Sequence, residues 1–287
     1  APLLQNQWPV APSERRWVRL PSTPVFPLSA LPAMHLHPTP SPEINALLEQ
    51  FLIALRAILG KQLVGLYLHG SLAGGDFNPY RSDIDFLVAT TEAPDGPTIA
   101  ALAALHERLC AGGSRWAAEL EGSYFPLEAL RRYDAADACF PHVERYRALR
   151  VEQHESDWLL QMHVLRERGI ALAGPPADTL IDPISPDELR RAARDILQIW
   201  WLPQLEDTHR LQNSGYQTYA ILTMCRILYT VANSAVVSKP VAARWLQERA
   251  PSWASLVEEA LQWQNGQPME RLDETLALIR FTLEQCR

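Results

Sequence analysis

Lysine is almost missing from this chain. Of its 26 Lys and Arg residues only Lys61 and Lys239 are Lys, so a task that needs a compact ammonium rather than a planar guanidinium has two candidates. Cysteine is scarce as well, and Cys110, Cys139, Cys225 and Cys286 stand far apart with no CxxC pair. That spacing excludes a structural zinc site and a redox dithiol, and it fits a reducing, cytoplasmic setting. No apolar run approaches the ~18 residues of a membrane span. Residues 1–17 lack the apolar core of a secretory signal and carry Arg15 and Arg16. An excess of positive charge is absent too. A formal charge of −7 excludes nonspecific nucleic-acid binding, which rests on Lys and Arg neutralising phosphates. It leaves room for a small cationic partner. There is no Walker loop, no Ser–His–Asp order and no zincin helix, and His35-Leu36-His37 has no third metal ligand.

What is present is a globular composition, 47% apolar and 21% charged, over 287 residues, enough for two domains. Ten prolines fall in the first 42 residues, so residues 1–43 read as an extended arm, which Trp8, Trp17, Val25, Phe26 and Leu28 could dock on the body. Ser41-Pro42-Glu43 opens an amphipathic helix running to Leu59. Strands are expected at Leu63–Leu68, Asp83–Ala89, Trp116–Phe125 and Ile170–Ala173, with helices at Ile99–Leu109 and Asp157–Arg168. From Ser185 onward only helical periodicity remains: Pro186–Ile199, Tyr216–Ala232, Ser238–Ala250, Ser252–Gln264 and Met269–Gln285. The expected organisation is an arm (1–43), a mixed strand-and-helix domain (44–180) and a helical bundle (181–287). The Trp residues at helical spacing, Trp200, Trp201, Trp245, Trp253 and Trp263, read as core.

The chemistry concentrates in Leu66–Thr90, LYLHGSLAGGDFNPYRSDIDFLVAT. Asp83 and Asp85 are two apart on a strand, so both carboxylates leave the same face. Two hard oxygen ligands side by side suit Mg²⁺, which keeps several waters and completes its shell with substrate phosphates. Gly70-Ser71 closes the preceding strand, where a Gly lets backbone approach a phosphate and Ser71 offers a hydroxyl and an N–H. Paired carboxylates with a Gly-Ser clip are what nucleotidyl transfer needs. Lys239 stands at a helix N-terminus, where a cation opposes the helix dipole unless an anion binds there. Arg226 lies within an apolar helical run and must meet either a carboxylate or a phosphate.

The Gly-Ser followed by D-h-D resembles the nucleotidyltransferase superfamily pattern. Within it the chain is most similar to the aminoglycoside adenylyltransferases that modify streptomycin and spectinomycin. Gly169–Pro175 and Leu222–Trp245 share that similarity, which runs over residues 44–287. The resemblance implies an α+β protein: a polymerase beta-like nucleotidyltransferase domain followed by an α-helical domain. It implies ATP as substrate, with AMP passed to a hydroxyl of a small acceptor of aminoglycoside or aminocyclitol type. It also implies that Glu121 is the base, that Arg226 and Lys239 bind the ATP phosphates, and that Gly70, Ser71 and Ser82 steady them. Glu119, two residues before Glu121, is the alternative base. The family holds its acceptor with acids ahead of the Arg-bearing helix. Here the nearest positions are Gln212 and Tyr216, with Glu206 and Asp207 as the acids at hand. Two other readings stay open: the same transfer to another metabolite or a protein, and a nucleotide-binding sensor without turnover.

Overall fold

The computed structural model describes residues 38–80, 82–134 and 138–287. The docking residues expected in the arm, and His35 and His37, lie outside these. Ser41 caps α1 (Pro42–Leu59) through its side chain, which accepts the Ile44 N–H, a contact of about 1 kcal/mol. β1 (Leu63–Leu68) leads into the short α2 (Gly70–Gly74), and β2 (Ile84–Thr90) returns antiparallel to it. α3 (Gly96–Ala111), capped by Asp95, carries the chain to β3 (Leu120–Pro126), parallel to β2. Then come α4 (Leu127–Arg131), the antiparallel β4 (Cys139–Val143) and β5 (Arg150–Gln153), α5 (Asp157–Arg168), and β6 (Ile170–Ala173). The six strands form one mixed sheet in the order β5-β4-β3-β2-β1-β6.

The sheet is buried on both faces. Ile84, Phe86 and Val88 pack with α1 and α3, while Leu87, Ala89 and Phe125 pack with α5 and the short α6 (Ala177–Leu180). Beyond β6 the chain is helical: α7 (Pro186–Ile196), α8 (Ser214–Asn233), α9 (Lys239–Arg249), α10 (Ala254–Gln262) and α11 (Leu272–Gln285). These share a core of their own around Ile221, Met224, Leu246 and Ile279. The architecture is therefore α+β, as expected. No helix among the described residues is long and apolar enough to cross a membrane.

Several expectations need correction. The third strand starts at Leu120, not Trp116. Ala117–Glu119 form a helical turn, and Trp116 is buried there with its indole N–H donating to Glu43 Oε2 (3.2 Å). The β4–β5 hairpin was not expected, because β5, Arg-Val-Glu-Gln, is an exposed edge without apolar alternation, and β4 contains Pro141. α7 ends at Ile196 and passes into a wider turn, Leu197–Trp201. Of the Trp set, Trp201 is core, whereas Trp200 is exposed and donates its indole N–H to the Tyr216 hydroxyl (3.0 Å).

Candidate active site

β1 runs antiparallel to β2, and β2 parallel to β3. The end of β1 and the starts of β2 and β3 therefore meet at one end of the sheet. Gly70 and Ser71 lie at the first, Asp83 and Asp85 at the second, and Glu121 at the third. Asp85 is the register partner of Glu121, so the two carboxylates sit side by side on one face. Gly70 has φ +59°, and a Cβ there would fall inside the Asp85 carboxylate, 2.5 Å from its Cγ. Glycine is required on both counts. The His69 N–H donates to the Asp85 carbonyl (3.1 Å), which locks the loop to the strand.

The polar atoms at this corner are under-used. Ser71 Oγ and His69 Nε2 are buried without a hydrogen-bond partner, the condition expected of donors or acceptors awaiting a ligand. Ser82 Oγ accepts the Asn78 N–H (2.9 Å) and keeps its own proton to give. Burial holds the His69 imidazole down to about 4, so it is neutral at physiological pH.

Electrostatics ties the helical half to the sheet. Burial, then Asp83 and Glu121 beside it, pushes the Asp85 carboxyl well above the usual carboxylate range, and the Lys239 and Arg226 cations oppose that rise. Burial, with Asp83, pushes Glu121 up to about 7, against a long backbone contact from the Arg145 N–H to its Oε2 (3.5 Å). Burial and the Arg226 charge hold the Lys239 ammonium below its ordinary range, with Asp83, Asp85 and Glu121 pulling the other way. Lys239 is the first residue of α9 and lies 5.3 Å from the Tyr219 ring centre; Arg226 projects from α8. Neither makes an ion pair among the described residues. Arg226 faces the Asp85 carboxylate without a direct ion pair among the described residues.

Glu119 has a different setting. It sits on the turn before β3, ion-paired with Arg145 and accepting the Tyr146 hydroxyl. It is committed to that contact rather than free beside Asp85. Ahead of α8, Asp207 accepts the His209 N–H (3.1 Å), and Glu206 and Gln212 are exposed. Among the described residues no three His, Cys, Asp or Glu side chains form a metal cage. Mg²⁺ at a nucleotide needs only one or two carboxylates. The crowded acids at Asp83 and Asp85, with no direct ion-pair partner among the described residues, have the donor chemistry for it.

Two family matches cover this architecture. The nucleotidyltransferase domain family matches residues 48–164, which hold Gly70, Asp85 and Glu121. The aminoglycoside adenylyltransferase C-terminal domain family matches residues 179–285, which hold Arg226 and Lys239. The chain therefore joins a nucleotidyltransferase domain to an aminoglycoside adenylyltransferase C-terminal domain, and it is an enzyme. More particularly, it has the two-domain build of the aminoglycoside adenylyltransferases. It is 28% identical over 251 residues to the aminoglycoside (3'') (9) adenylyltransferase of Escherichia coli, covering 80% of this chain and 88% of the relative. It is 26% identical over 255 residues to the spectinomycin 9-adenylyltransferase of Campylobacter jejuni, covering 82% and 93%. The fold is similar to a crystal structure of spectinomycin adenyltransferase from Enterococcus faecialis with ATP and spectinomycin. There the TM-score is 0.66 at 17% identity, over 84% of this chain and 98% of that one.

The buried cluster of Ser123, His142 and His154 had no signal in the sequence. Its members are separated by 19 and 31 positions from Ser123 and come together only through strand pairing.

Proposed function

We propose that this enzyme transfers AMP from ATP to a hydroxyl of a small, cationic acceptor of aminoglycoside or aminocyclitol type, with Mg²⁺ at Asp83 and Asp85. Residues 44–180 and 181–287 would act as the two walls of its cleft. The observation that carries the reading is the meeting of three acids at one sheet end with two cations that have no ion-pair partner among the described residues. A polyphosphate answers both needs, since it brings the negative charge that Arg226 and Lys239 lack and draws in the cation that the acids lack.

In this reading Arg226 and Lys239 hold the phosphates from the helical half. Gly70 lets the backbone come close, and the Ser71 and Ser82 hydroxyls donate to phosphate oxygens. Bound Mg²⁺ would supply charge neutralisation at the triphosphate. Glu121 takes the proton of the acceptor hydroxyl. Burial and Asp83 raise the Glu121 carboxyl to about 7 in the metal-free protein, and with Mg²⁺ beside it the group would return toward the ionised, proton-accepting form. The oxygen then attacks the α-phosphorus, pyrophosphate leaves, and AMP remains as an ester on the acceptor. The acceptor class is supported by the named activities of the relatives and by the acidic character of the chain.

The test is to incubate the purified chain with MgATP and either streptomycin or spectinomycin, and to follow pyrophosphate and the adenylylated product. The expected result is transfer to at least one of the two, lost by at least ~10²-fold in Glu121→Gln. No transfer to either drug would remove the acceptor assignment. Full activity of Glu121→Gln would remove the base.

A further inference from the structure

We infer that Ser123, His142 and His154 are positioning residues for Glu121: a buried hydrogen-bond chain that clamps β3 to β4 and to the start of α5. The inference rests on the reading of Glu121 as base.

Ser123 is two residues beyond Glu121 on the same face of β3 and is fully buried. Its Oγ lies 2.8 Å from His142 Nδ1 and 2.8 Å from His154 Nε2. His142 is its register partner on β4, and His154 follows β5 just before α5. The Trp158 ring of α5 packs on His154, with centres 4.5 Å apart, so the chain continues into that helix. The β3–β4 ladder is short, consisting of Gly122 opposite Val143 and Ser123 opposite His142. By contrast, β3 pairs with β2 along its whole length. The other hold on Glu121, the Arg145 N–H at 3.5 Å, comes from the residues just after β4. Apart from the pairing with β2, the contacts that fix Glu121 therefore depend on β4 keeping its register against β3.

The proton positions follow from the partners. His154 Nδ1 faces the Glu152 carbonyl (3.1 Å), which can only accept, so Nδ1 carries hydrogen and the neutral ring has a bare Nε2. The Ser123 hydroxyl then donates to His154 Nε2, and its oxygen accepts from His142 Nδ1–H. His142 Nε2 is left facing Glu152 Oε1 at 3.6 Å. Burial holds both imidazoles below the ordinary histidine range. Glu152, Glu144, Arg150 and His154 are the charged or titratable groups that act on His142. His154 thus fixes the direction of the Ser123 hydroxyl, while the His142 ring also feels the Gly122 carbonyl and, at 3.6 Å, the Glu152 carboxylate.

The experiment uses the full chain. Long-range ¹H–¹⁵N spectra at neutral pH should show His142 and His154 both neutral with hydrogen on Nδ1. Ser123→Ala should keep the fold by circular dichroism and keep KM for ATP within about twofold. Its kcat for AMP transfer to streptomycin or spectinomycin should fall about tenfold or more, because small misplacements of a reacting group are costly. His154→Gln, whose carboxamide oxygen can accept in place of Nε2, should stay within about threefold of wild type, whereas His154→Leu should match Ser123→Ala. Hydrogen on His154 Nε2, or wild-type kcat in Ser123→Ala, would overturn the inference. So would equal losses in His154→Gln and His154→Leu, or a Ser123→Ala loss confined to the fraction of folded protein. Glu121→Gln assayed alongside separates the two claims. An inactive Glu121→Gln beside a fully active Ser123→Ala removes the clamp alone, and a fully active Glu121→Gln removes the base and the clamp's purpose together.

Discussion

Adding one methyl group at Gly70 should separate catalysis from stability. The residue has φ +59°, and a side chain in that left-handed region costs roughly 1–2 kcal/mol. In a protein of this size such a cost lowers Tm by only a few degrees, about 2–4 °C per kcal/mol. The new Cβ would also stand 2.5 Å from Asp85 Cγ, whereas carbon atoms settle at about 3.5–4 Å. The carboxylate or the Gly70 loop must therefore shift by about 1 Å. A displacement of that size at a reacting centre is worth about 10²-fold in rate. Gly70→Ala is thus expected to remain folded, melt a few degrees early and lose about 10²-fold in AMP transfer. Gly96→Ala is the control: its Cβ meets nothing within 4 Å and its φ is not left-handed. That variant should keep full activity, with a Tm lowered by no more than a few degrees, since Ala before Pro97 is disfavoured in a helical conformation. A folded Gly70→Ala enzyme within threefold of wild type would refute the argument, because the Asp85 position would then not matter to the reaction.

Two further predictions concern charge. Lys239 carries a cation that burial and Arg226 disfavour, so Lys239→Met should raise the Tm of the ligand-free protein while raising KM for ATP by about 10-fold or more; a purely structural lysine would lower Tm and leave KM alone. His69, His106 and His154 are buried and each held down to about 4, against about 6.5 in the unfolded chain. The unfolded chain takes up their protons first, so this contribution is complete above about pH 6.5 and is lost as pH falls toward 4, by up to about 3 kcal/mol per histidine. His106→Gln, which retains a partner for the Tyr124 hydroxyl, should show a shallower acid loss than wild type in urea unfolding; parallel pH profiles would contradict it.

The strands that cross the middle of the sheet were readable because burial on both faces demands continuous apolar residues. Leu63–Leu68 has the expected limits and β2 is displaced by a single residue; β6, Ile170–Ala173, at the sheet edge, also has the expected limits because its four residues are all apolar. The edge hairpin was not readable. Its β5 is polar, held by backbone pairing and by charge contacts such as Arg150 with Glu144, and carries no apolar side-chain period. Trp116–Glu119 misled in the opposite way, since an alternation of apolar and polar residues there marks a turn around a buried indole. Helix starts were legible where a side chain caps them, as at Ser41 and Ser185, because capping is a local interaction.

Local sequence was sufficient for the class of the protein. A Gly-Ser turn and an alternating Asp pair are short-range features whose spacing already places carboxylates on one strand face. It also singled out Lys239, one of two lysines, at a helix start where only an anion would favour it. The tertiary structure decided everything that depends on distant segments meeting. It set Asp85 beside Glu121 by strand register, filled the space of the Gly70 Cβ with a carboxylate, tied Glu119 to Arg145, and left Arg226 and Lys239 facing the acids without an ion pair among the described residues. The physical reason is range. Caps, turns and strand faces are set over a few residues, whereas desolvation and the sum of neighbouring charges exist only once the sheet end and the helices α8 and α9 enclose a common space.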